Sequence, residues 1–158
     1  MMLAGGRCLR VALLSLSLLV AGCASQATLD CVYSVERTLS GVSEKSLQVG
    51  DHNWVYAEKG EGEVVLLLHG FGASKEVWMR MVGDMPRGYR YIMPDLPGFG
   101  RSTYLPEGVY DVASQVPRLE AFVSALGVAR FHLLGNSMGG NLAASYAAAY
   151  PQRVTTLG

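Results

Sequence analysis

The sequence lacks an excess of charge of either sign. Its 158 residues include 13 Lys and Arg against 13 Asp and Glu, so the formal net charge is zero, and no run of like charges occurs. Proteins that bind nucleic acid carry a basic surface that neutralises phosphates, and this composition excludes that class of partner. Half of the residues are hydrophobic and 16% are charged, which excludes a disordered chain and is typical of one globular core.

The sequence also lacks an apolar run long enough to cross a bilayer. The longest run, Val11–Ala21, has 11 residues and contains two serines, whereas a membrane-spanning helix needs about 20 apolar residues. Arg7 and Arg10 precede the run and Gly22 follows it, which is the order of a cleaved export signal. We therefore interpret residues 1–22 as a signal peptide.

The sequence "VAGC", Val20–Cys23, resembles the lipobox of bacterial lipoproteins. The resemblance implies that Cys23 carries lipid and becomes the first residue of the exported protein. More than one acyl chain is usual in that family, and such an anchor would hold the protein stably on a membrane. Ala24 stands where inner-membrane lipoproteins have aspartate, which favours the outer membrane. The alternative is an ordinary secreted protein cleaved nearby.

Cysteine is scarce, with three in the whole chain. Because Cys8 leaves with the signal peptide and Cys23 is predicted to carry lipid, Cys31 is left without a partner and we expect no internal disulfide. Residues 23–41 show no clean hydrophobic period and are interpreted as a tether and a poorly defined N-terminal segment. Residues 42–158 are predicted to form the domain.

From residue 42 onward, hydrophobic patterning predicts alternating strands and helices. Short alternating runs on either side of Gly50 and Asp51 predict a β-hairpin. The continuous apolar run Glu63–Leu68 is typical of a strand buried on both faces of a parallel sheet. Helix, strand, helix, strand, helix and strand follow, which predicts an α/β fold with a mainly parallel sheet flanked by helices. Because the sequence stops at the start of a strand, we expect it to be the front half of a longer protein.

Two of these helices are predicted in more detail. The helix after the buried strand is expected to begin at Ser74, as its N-cap, and to turn one face toward the core. That face carries Val77, Met81 and Val82. The next helix contains Pro117, which is tolerated in a first turn, and we therefore expect this helix to begin near Ser114.

The pentapeptide "GNSMG", Gly135–Gly139, fits the nucleophile-elbow pattern G-x-S-x-G between a predicted strand and a predicted helix. A serine in so tight a turn projects its hydroxyl clear of the sheet, and the flanking glycines leave room for the backbone. Ser137 is therefore the candidate nucleophile. The backbone N–H of Met138, at the helix N-terminus, is a candidate donor to an oxyanion. The alternative is a glycine-rich turn with an incidental serine.

Two further glycine-rich motifs follow predicted strands. They are "HGFGAS", His69–Ser74, and "PDLPGFGRS", Pro94–Ser102. A phosphate-binding role is disfavoured because neither G-x-G-x-x-G nor a lysine-bearing nucleotide loop is present. Asp95 is predicted to brace the second motif by accepting backbone N–H bonds.

With "GNSMGG", these motifs resemble the α/β-hydrolase fold superfamily, and the run from about residue 64 to residue 154 resembles its monoacylglycerol lipase and esterase branch. The resemblance implies that Ser137 attacks an ester carbonyl, that the enzyme is acylated before water releases the acid, and that no cofactor is used. It also implies that the backbone N–H of Phe71 is the second oxyanion donor. Phe71 is in addition a candidate substrate contact.

A general base is missing from the sequence around this candidate site. The chain has three histidines, His52, His69 and His132, and each is interpreted as structural. In this fold the triad acid and histidine follow the nucleophile, yet the 21 residues after Ser137 contain neither. We expect both beyond Gly158, so that the 158-residue chain alone is nearly inert.

Two classes of function follow. The first is a membrane-tethered serine hydrolase of carboxylic esters, most simply glycerides or similar acyl esters. The second is a lipid-anchored scaffold that has lost catalysis and binds a ligand or partner. Within enzymes, Ser137 excludes dehalogenases, which carry aspartate at the elbow, while thioesterases and carbon–carbon bond hydrolases remain open. The sequence leaves the oligomeric state open.

Overall fold

The structure, a computed structural model, describes residues 26–158. The predicted signal peptide, residues 1–22, and the predicted lipid site, Cys23, lie outside this range. Within the range, no helix combines the length and the apolar character that crossing a bilayer requires.

The elements alternate as the sequence pattern predicts. The helices are α1 (Gln26–Leu39), α2 (Met79–Asp84), α3 (Val112–Ala125) and α4 (Met138–Ala149), with short 3-10 helices at Lys75–Trp78 and Pro151–Arg153. The strands are β1 (Ser43–Val49), β2 (His52–Lys59), β3 (Glu63–Leu68), β4 (Tyr89–Pro94), β5 (Phe131–Gly135) and β6 (Val154–Leu157). The strand and hairpin predictions are confirmed.

The six strands form one sheet in the order β1-β2-β4-β3-β5-β6. Strands β4, β3, β5 and β6 pair in parallel, whereas the β1–β2 hairpin adds two antiparallel strands at one side. The prediction of a mainly parallel sheet flanked by helices is therefore confirmed. Because the chain crosses from β4 over β3 to β5, the loops after β3, β4 and β5 meet at the carboxyl edge of the sheet.

The central strand β3 is buried on both faces, as its unbroken apolar run predicts. Its alternate side chains enter two separate cores, because successive residues of a strand point to opposite faces. Leu66 and Leu68 pack in the core beneath α3 and α4, together with Phe122 from α3. Leu67 packs in the second core, beneath α2.

The helix α1 was not predicted from the sequence. It occupies most of the segment that shows no clean period, and it contributes no residue to either buried core. The structure also corrects the expectation that Cys31 is unpaired, because Cys31 is disulfide-bonded. The other two cysteines of the chain, Cys8 and Cys23, lie outside the described range.

The segment after β3 corrects a predicted helix face. It begins as a 3-10 helix and becomes α-helical only at Met79, and Ser74 makes no side-chain capping bond. A 3-10 turn has 3.0 residues instead of 3.6, so the inward face is not the one that the α-helical period predicts. Met79 and Val82 are fully buried, whereas Val77 is 56% and Met81 39% exposed.

The helix α3 begins two residues earlier than predicted. Asp111 is its N-cap and accepts a hydrogen bond from the backbone N–H of Ser114. Pro117 therefore lies inside the helix instead of in its first turn. The capping carboxylate defines the start of this helix, and the proline does not.

The observed helix face predicts that a valine-to-alanine substitution lowers the free energy of unfolding more at position 82 than at position 77. Val82→Ala removes buried methyl groups and should lower the free energy of unfolding by about 2 kcal/mol. Val77→Ala changes a mostly exposed side chain and should lower it by less than about 0.5 kcal/mol. Urea unfolding of the two variants measures the difference. Equal losses at both positions would contradict the observed phase of this helix.

Candidate active site

The turn between β5 and α4 holds Ser137 in an unusual backbone conformation. Ser137 has φ 54° and ψ −115°, and it is the one non-glycine residue with positive φ between residues 26 and 158. Such a conformation costs about 1–3 kcal/mol, so the surrounding structure must hold it in place. The residue is solvent-exposed at the N-terminus of α4, with its side chain at the carboxyl edge of the sheet.

The glycines of the elbow are required by close backbone contacts. A Cβ atom on Gly135 would overlap the backbone of Gly139 and Gly140 in the first turn of α4. A Cβ atom on Gly139 would overlap the carbonyl groups of Leu68 and His69 at the end of β3. The helix α4 can therefore approach the sheet closely only because these positions have no side chain.

The turn after β3 lies directly against the elbow. A Cβ atom on Gly70 would meet the backbone oxygen of Asn136 at 3.3 Å and the Cβ atom of Ser137 at 3.3 Å. The N–H of Asn136 donates to the carbonyl of Leu68 at 3.0 Å, which joins the two turns. The structure thus brings together the two motifs that carry the predicted site.

The two candidate donor N–H groups belong to the two turns that meet at Ser137. Phe71 is the next residue after Gly70 in the turn that touches the elbow, and Met138 is the first residue of α4. Within the part of the chain that the structure describes, neither N–H donates a hydrogen bond to the protein. Unpaired N–H groups beside a hydroxyl, one of them at a helix N-terminus, suit a ligand oxygen that carries negative charge.

His69 is a structural residue of the turn after β3, as the sequence predicts. Its Nε2 accepts the N–H of Leu96 at 3.0 Å, and its Nδ1 lies 2.8 Å from the carbonyl of Gly70. The ring therefore has Nδ1 protonated and donating, and Nε2 is occupied as an acceptor. Burial lowers the pKa of His69 and outweighs the carbonyl contact and Asp95, which raise it. The ring stays neutral and ties the loop after β3 to the loop after β4.

The other two histidines are also occupied elsewhere. His132 Nδ1 lies 2.8 Å from the hydroxyl of Thr156, and His52 Nδ1 lies 2.6 Å from the carboxylate of Asp51. Between residues 26 and 158, no histidine or carboxylate is hydrogen-bonded to the hydroxyl of Ser137. Among the described residues, no histidine therefore lies in position to act as a general base for the candidate nucleophile, Ser137.

Asp95 braces the loops as predicted, and with a stronger partner than the sequence suggests. Its fully buried carboxylate accepts the N–H of Lys75 at 2.7 Å and the N–H of Arg101 at 2.9 Å. The ammonium of Lys75 also donates to it, at 2.8 Å. The same carboxylate therefore holds the chain four residues after Phe71 and the glycine-rich loop after β4.

Lys75 is the site residue that the sequence analysis missed. Its side chain is 1% exposed and forms a second ion pair with Glu44, at 3.1 Å. Burial alone would lower the pKa of Lys75, but the carboxylates of Asp95 and Glu44 outweigh burial and raise it. A lysine in a polar segment normally indicates a solvated surface, so only the fold, which brings Asp95 and Glu44 to it, reveals this role.

An aromatic pair borders the candidate site. The Phe71 side chain is 80% exposed, and its ring meets that of Phe99 edge to face at 5.6 Å. Phe99 in turn meets the ring of His69 at 5.6 Å. The exposed Phe71 ring and the partly buried Phe99 ring thus give apolar surface to the loops after β3 and β4, at the edge of the sheet that carries Ser137.

The family can now be assigned from a sequence comparison. The family model of the alpha/beta hydrolase fold matches residues 63–157, which include β3, the elbow and all the parallel strands. The chain belongs to the alpha/beta hydrolase fold family.

Several relatives within this family are lipases. Lipase 1 of Psychrobacter immobilis is 40% identical over 134 residues, which are 82% of this chain and 42% of that protein. Monoacylglycerol lipase abhd6-B of Xenopus laevis is 33% identical over 136 residues, 83% of this chain and 40% of that protein. A crystal structure described as a membrane phospholipase A has a TM-score of 0.80 and 42% identity, and the match covers 93% of this chain and 48% of that one. The chain thus spans less than half the length of these alpha/beta hydrolases.

The backbone of Ser137 predicts an unusual order of stability. Ser137→Gly should have a higher free energy of unfolding than Ser137→Ala, by about 1 kcal/mol, because only glycine adopts this conformation without strain. Ser145, inside α4, is the matched control, and there alanine should be more stable than glycine by about 1 kcal/mol. Denaturant unfolding of the four variants measures both differences. If alanine were more stable than glycine at both positions, the backbone of Ser137 would not be strained.

The buried ion pair predicts that a substitution at Lys75 strongly lowers the free energy of unfolding. Lys75→Met leaves the Asp95 carboxylate buried without its countercharge and should lower the free energy of unfolding by about 3–5 kcal/mol. Lys45 is the matched control, since it is 47% exposed and pairs with Glu58 at 3.1 Å. Lys45→Met should cost less than about 1 kcal/mol. Comparable losses in the two variants would show that Lys75 does not hold the loops.

Proposed function

We propose that the protein to which this chain belongs is a serine hydrolase of carboxylic esters, with Ser137 as its nucleophile. The observation that carries this proposal is the position of Ser137 in a strained turn that lies against a second turn. The N–H groups of Phe71 and Met138, which belong to these turns, donate to no other group in the described part of the chain. Membership of the alpha/beta hydrolase family and the lipase relatives support ester hydrolysis at the level of the reaction class.

The geometry supports an acyl-enzyme mechanism. The Ser137 hydroxyl oxygen attacks the ester carbonyl carbon, and its proton passes to a general base. The negative charge on the former carbonyl oxygen is stabilised by the N–H groups of Phe71 and Met138, each worth about 3 kcal/mol. The tetrahedral intermediate then expels the alcohol, and water releases the acid from the acyl-serine by the same route.

The acid and histidine of the triad are proposed to lie in the part of the family domain that this chain does not span. In this fold both follow the nucleophile along the chain, and the relatives extend well beyond the matched length. The described histidines are held by other partners. This chain therefore supplies the nucleophile and the oxyanion donors of the proposed machinery.

For the substrate we propose acyl esters of the monoacylglycerol type. The exposed ring of Phe71 packs against the partly buried ring of Phe99 in the loops at the carboxyl edge of the sheet, and this apolar surface suits an acyl chain better than a charged group. The names of the relatives, lipase and monoacylglycerol lipase, support the same substrate class. A thioester or a carbon–carbon substrate would use the same nucleophile, so the choice among them depends on a direct assay.

For the location we propose an exported lipoprotein, attached through Cys23 to a bacterial membrane and sorted to the outer one. Acylation uses the thiol of Cys23 and cleavage removes Cys8, so in this proposal the disulfide of Cys31 belongs to the chain before processing. The proposal rests on the "VAGC" sequence that ends the apolar run. It is supported by a similar structure, which is described as a membrane phospholipase A. An acyl-ester substrate would then be encountered at the surface to which the enzyme is attached.

The nucleophile is tested by labelling and kinetics on the complete family domain. Ser137→Ala should abolish labelling by a fluorophosphonate and lower kcat for a monoacylglycerol by a factor of about 10⁶, because residues of a triad act as a unit. Ser145→Ala is the control and should keep both. A Ser137→Ala protein that still labels would overturn the nucleophile assignment. If the domain is labelled at Ser137 but cleaves only thioesters or carbon–carbon bonds, the substrate class alone is overturned. If the domain is neither labelled nor able to hydrolyse any of these substrates, the protein is a binding scaffold.

A further inference from the structure

Ion pairs connect the helix α1 to the loops of the candidate site. Six charged side chains form a charge network in which cations and anions alternate. They are Arg37, Lys75, Arg101, Glu44, Glu76 and Asp95. The last turn of α1, the start of β1, the 3-10 helix after β3 and the loop after β4 all contribute to it. The charge network therefore joins the N-terminal helix to the two loops that Asp95 holds together.

Arg37 is the residue through which α1 enters the charge network. Its guanidinium lies 2.7 Å from the carboxylate of Glu76 and 3.6 Å from that of Glu44. The side chains of Arg37 and Glu76 are 13% and 9% exposed, so solvent screens this pair only weakly. Because α1 contributes no residue to either buried core, a sheltered ion pair, and not core packing, ties its last turn to the domain.

Both carboxylates that Arg37 contacts also contact the ammonium of Lys75. The distances from Lys75 Nζ are 3.1 Å to Glu44 and 3.4 Å to Glu76. The ammonium lies nearer to Asp95, at 2.8 Å, and Asp95 also accepts the backbone N–H of Lys75. Three carboxylates thus share one buried ammonium, and the position of Lys75 depends on how strongly each of them attracts it.

Glu76 is the carboxylate that depends on Arg37. Its Oε1 pairs with the cations of Arg37 and Lys75, and its buried Oε2 has no hydrogen-bond partner among the described residues. Without Arg37, Lys75 would be the cation left to pair with it. A nearly buried carboxylate without a countercharge is costly, so Glu76 would then compete with Asp95 for the ammonium of Lys75.

Glu44 depends on Arg37 much less. Its Oε1 lies 2.7 Å from the guanidinium of Arg101, and its Oε2 lies closer to Lys75 than to Arg37. Burial raises the pKa of Glu44, but these three cations outweigh burial and lower it. With two of the cations remaining, Glu44 stays paired when Arg37 is removed. The effect of Arg37 is therefore expected to act through Glu76.

We propose that Arg37 is a positioning residue for the oxyanion donor Phe71. This inference rests on the proposed serine hydrolase and adds a residue outside its catalytic groups. Arg37 neutralises Glu76, which leaves the ammonium of Lys75 on Asp95. Lys75 then fixes the chain four residues after Phe71, so that the donor is in place before charge appears on the substrate oxygen. Through Arg37, the helix α1 contributes to catalysis without touching the reacting atoms.

The test measures the kinetics of variants of the complete family domain, with α1 retained. Arg37→Met should lower kcat for a monoacylglycerol by about tenfold, a part of the roughly 10²-fold loss that follows removal of an oxyanion donor. KM should change by less than about twofold, because the donor acts on the transition state. Each kcat is divided by the concentration of active sites titrated with a fluorophosphonate, so that unfolded protein is not counted.

Two variants serve as controls. Arg37→Lys keeps a positive charge near Glu76, and because the ion pair uses a single guanidinium nitrogen, this variant should retain at least about half of kcat. Arg90→Met removes a guanidinium that pairs with Glu58 at 3.2 Å, near the start of β4. This variant should keep kcat within about twofold, because its ion pair lies outside the charge network.

A second substitution tests the route through Glu76. Glu76→Gln removes the negative charge that would compete for the ammonium of Lys75. In this background, Arg37→Met should therefore lower kcat by less than about twofold, instead of tenfold. The two single variants and the double variant form a complete cycle, measured with the same titration of active sites.

Four outcomes would overturn the inference. An unchanged kcat in Arg37→Met, in a domain that is labelled at Ser137 and active, would remove the positioning role and leave the proposed function intact. Equal losses in Arg37→Met and Arg90→Met would show a general effect of losing an ion pair. A tenfold loss that persists in the Glu76→Gln background would show that Arg37 does not act through Glu76. A domain that is not labelled at Ser137 would overturn the proposed function, and the inference with it.

Discussion

The candidate site depends on direct contact between two backbone turns. The turn after β5 lies against the turn after β3 with no side chain between them, because Gly70 faces Asn136 and Ser137, and Gly139 faces the carbonyls of Leu68 and His69. Ser137, with its positive φ, lies at this contact, and the candidate donors Phe71 and Met138 belong to the two turns that form it. A side chain at either glycine would separate the two donors from the serine, so the chemistry proposed for this protein requires the contact.

The rest of the carboxyl edge keeps that contact in place. His69 bonds across to the backbone of Leu96, and Asp95 bonds back to Lys75. The loops after β3 and β4 are thus joined on both sides of Phe71. The ion pair of Lys75 with Asp95 costs desolvation, and together with the bond from Leu96 to His69 it fixes the position of the turn after β3. Preorganised donors stabilise a transition state because they do not have to reorient when the charge appears.

Sequence reasoning predicted those features that depend on local pattern. The unbroken apolar run predicted that β3 is buried on both faces, and the glycine spacing around Ser137 predicted a strand-to-helix turn. It failed where distant residues decide the structure. Lys75 is buried only because Asp95 and Glu44, 20 and 31 positions away, converge on it. The helix α1 was missed because none of its residues belongs to either core, so its sequence carries no clear core-facing period. The phase of the helix after β3 was wrong because a 3-10 turn begins it.

The central claim is that Ser137 and the two N–H groups converge on one reacting atom. A crystal structure of the complete family domain after reaction with a fluorophosphonate tests this most directly. We predict a phosphorus–oxygen bond to Ser137 and a non-bridging oxygen within about 3 Å of the backbone nitrogens of both Phe71 and Met138. An adduct on a different residue, or an oxygen that points away from both nitrogens, would contradict the account.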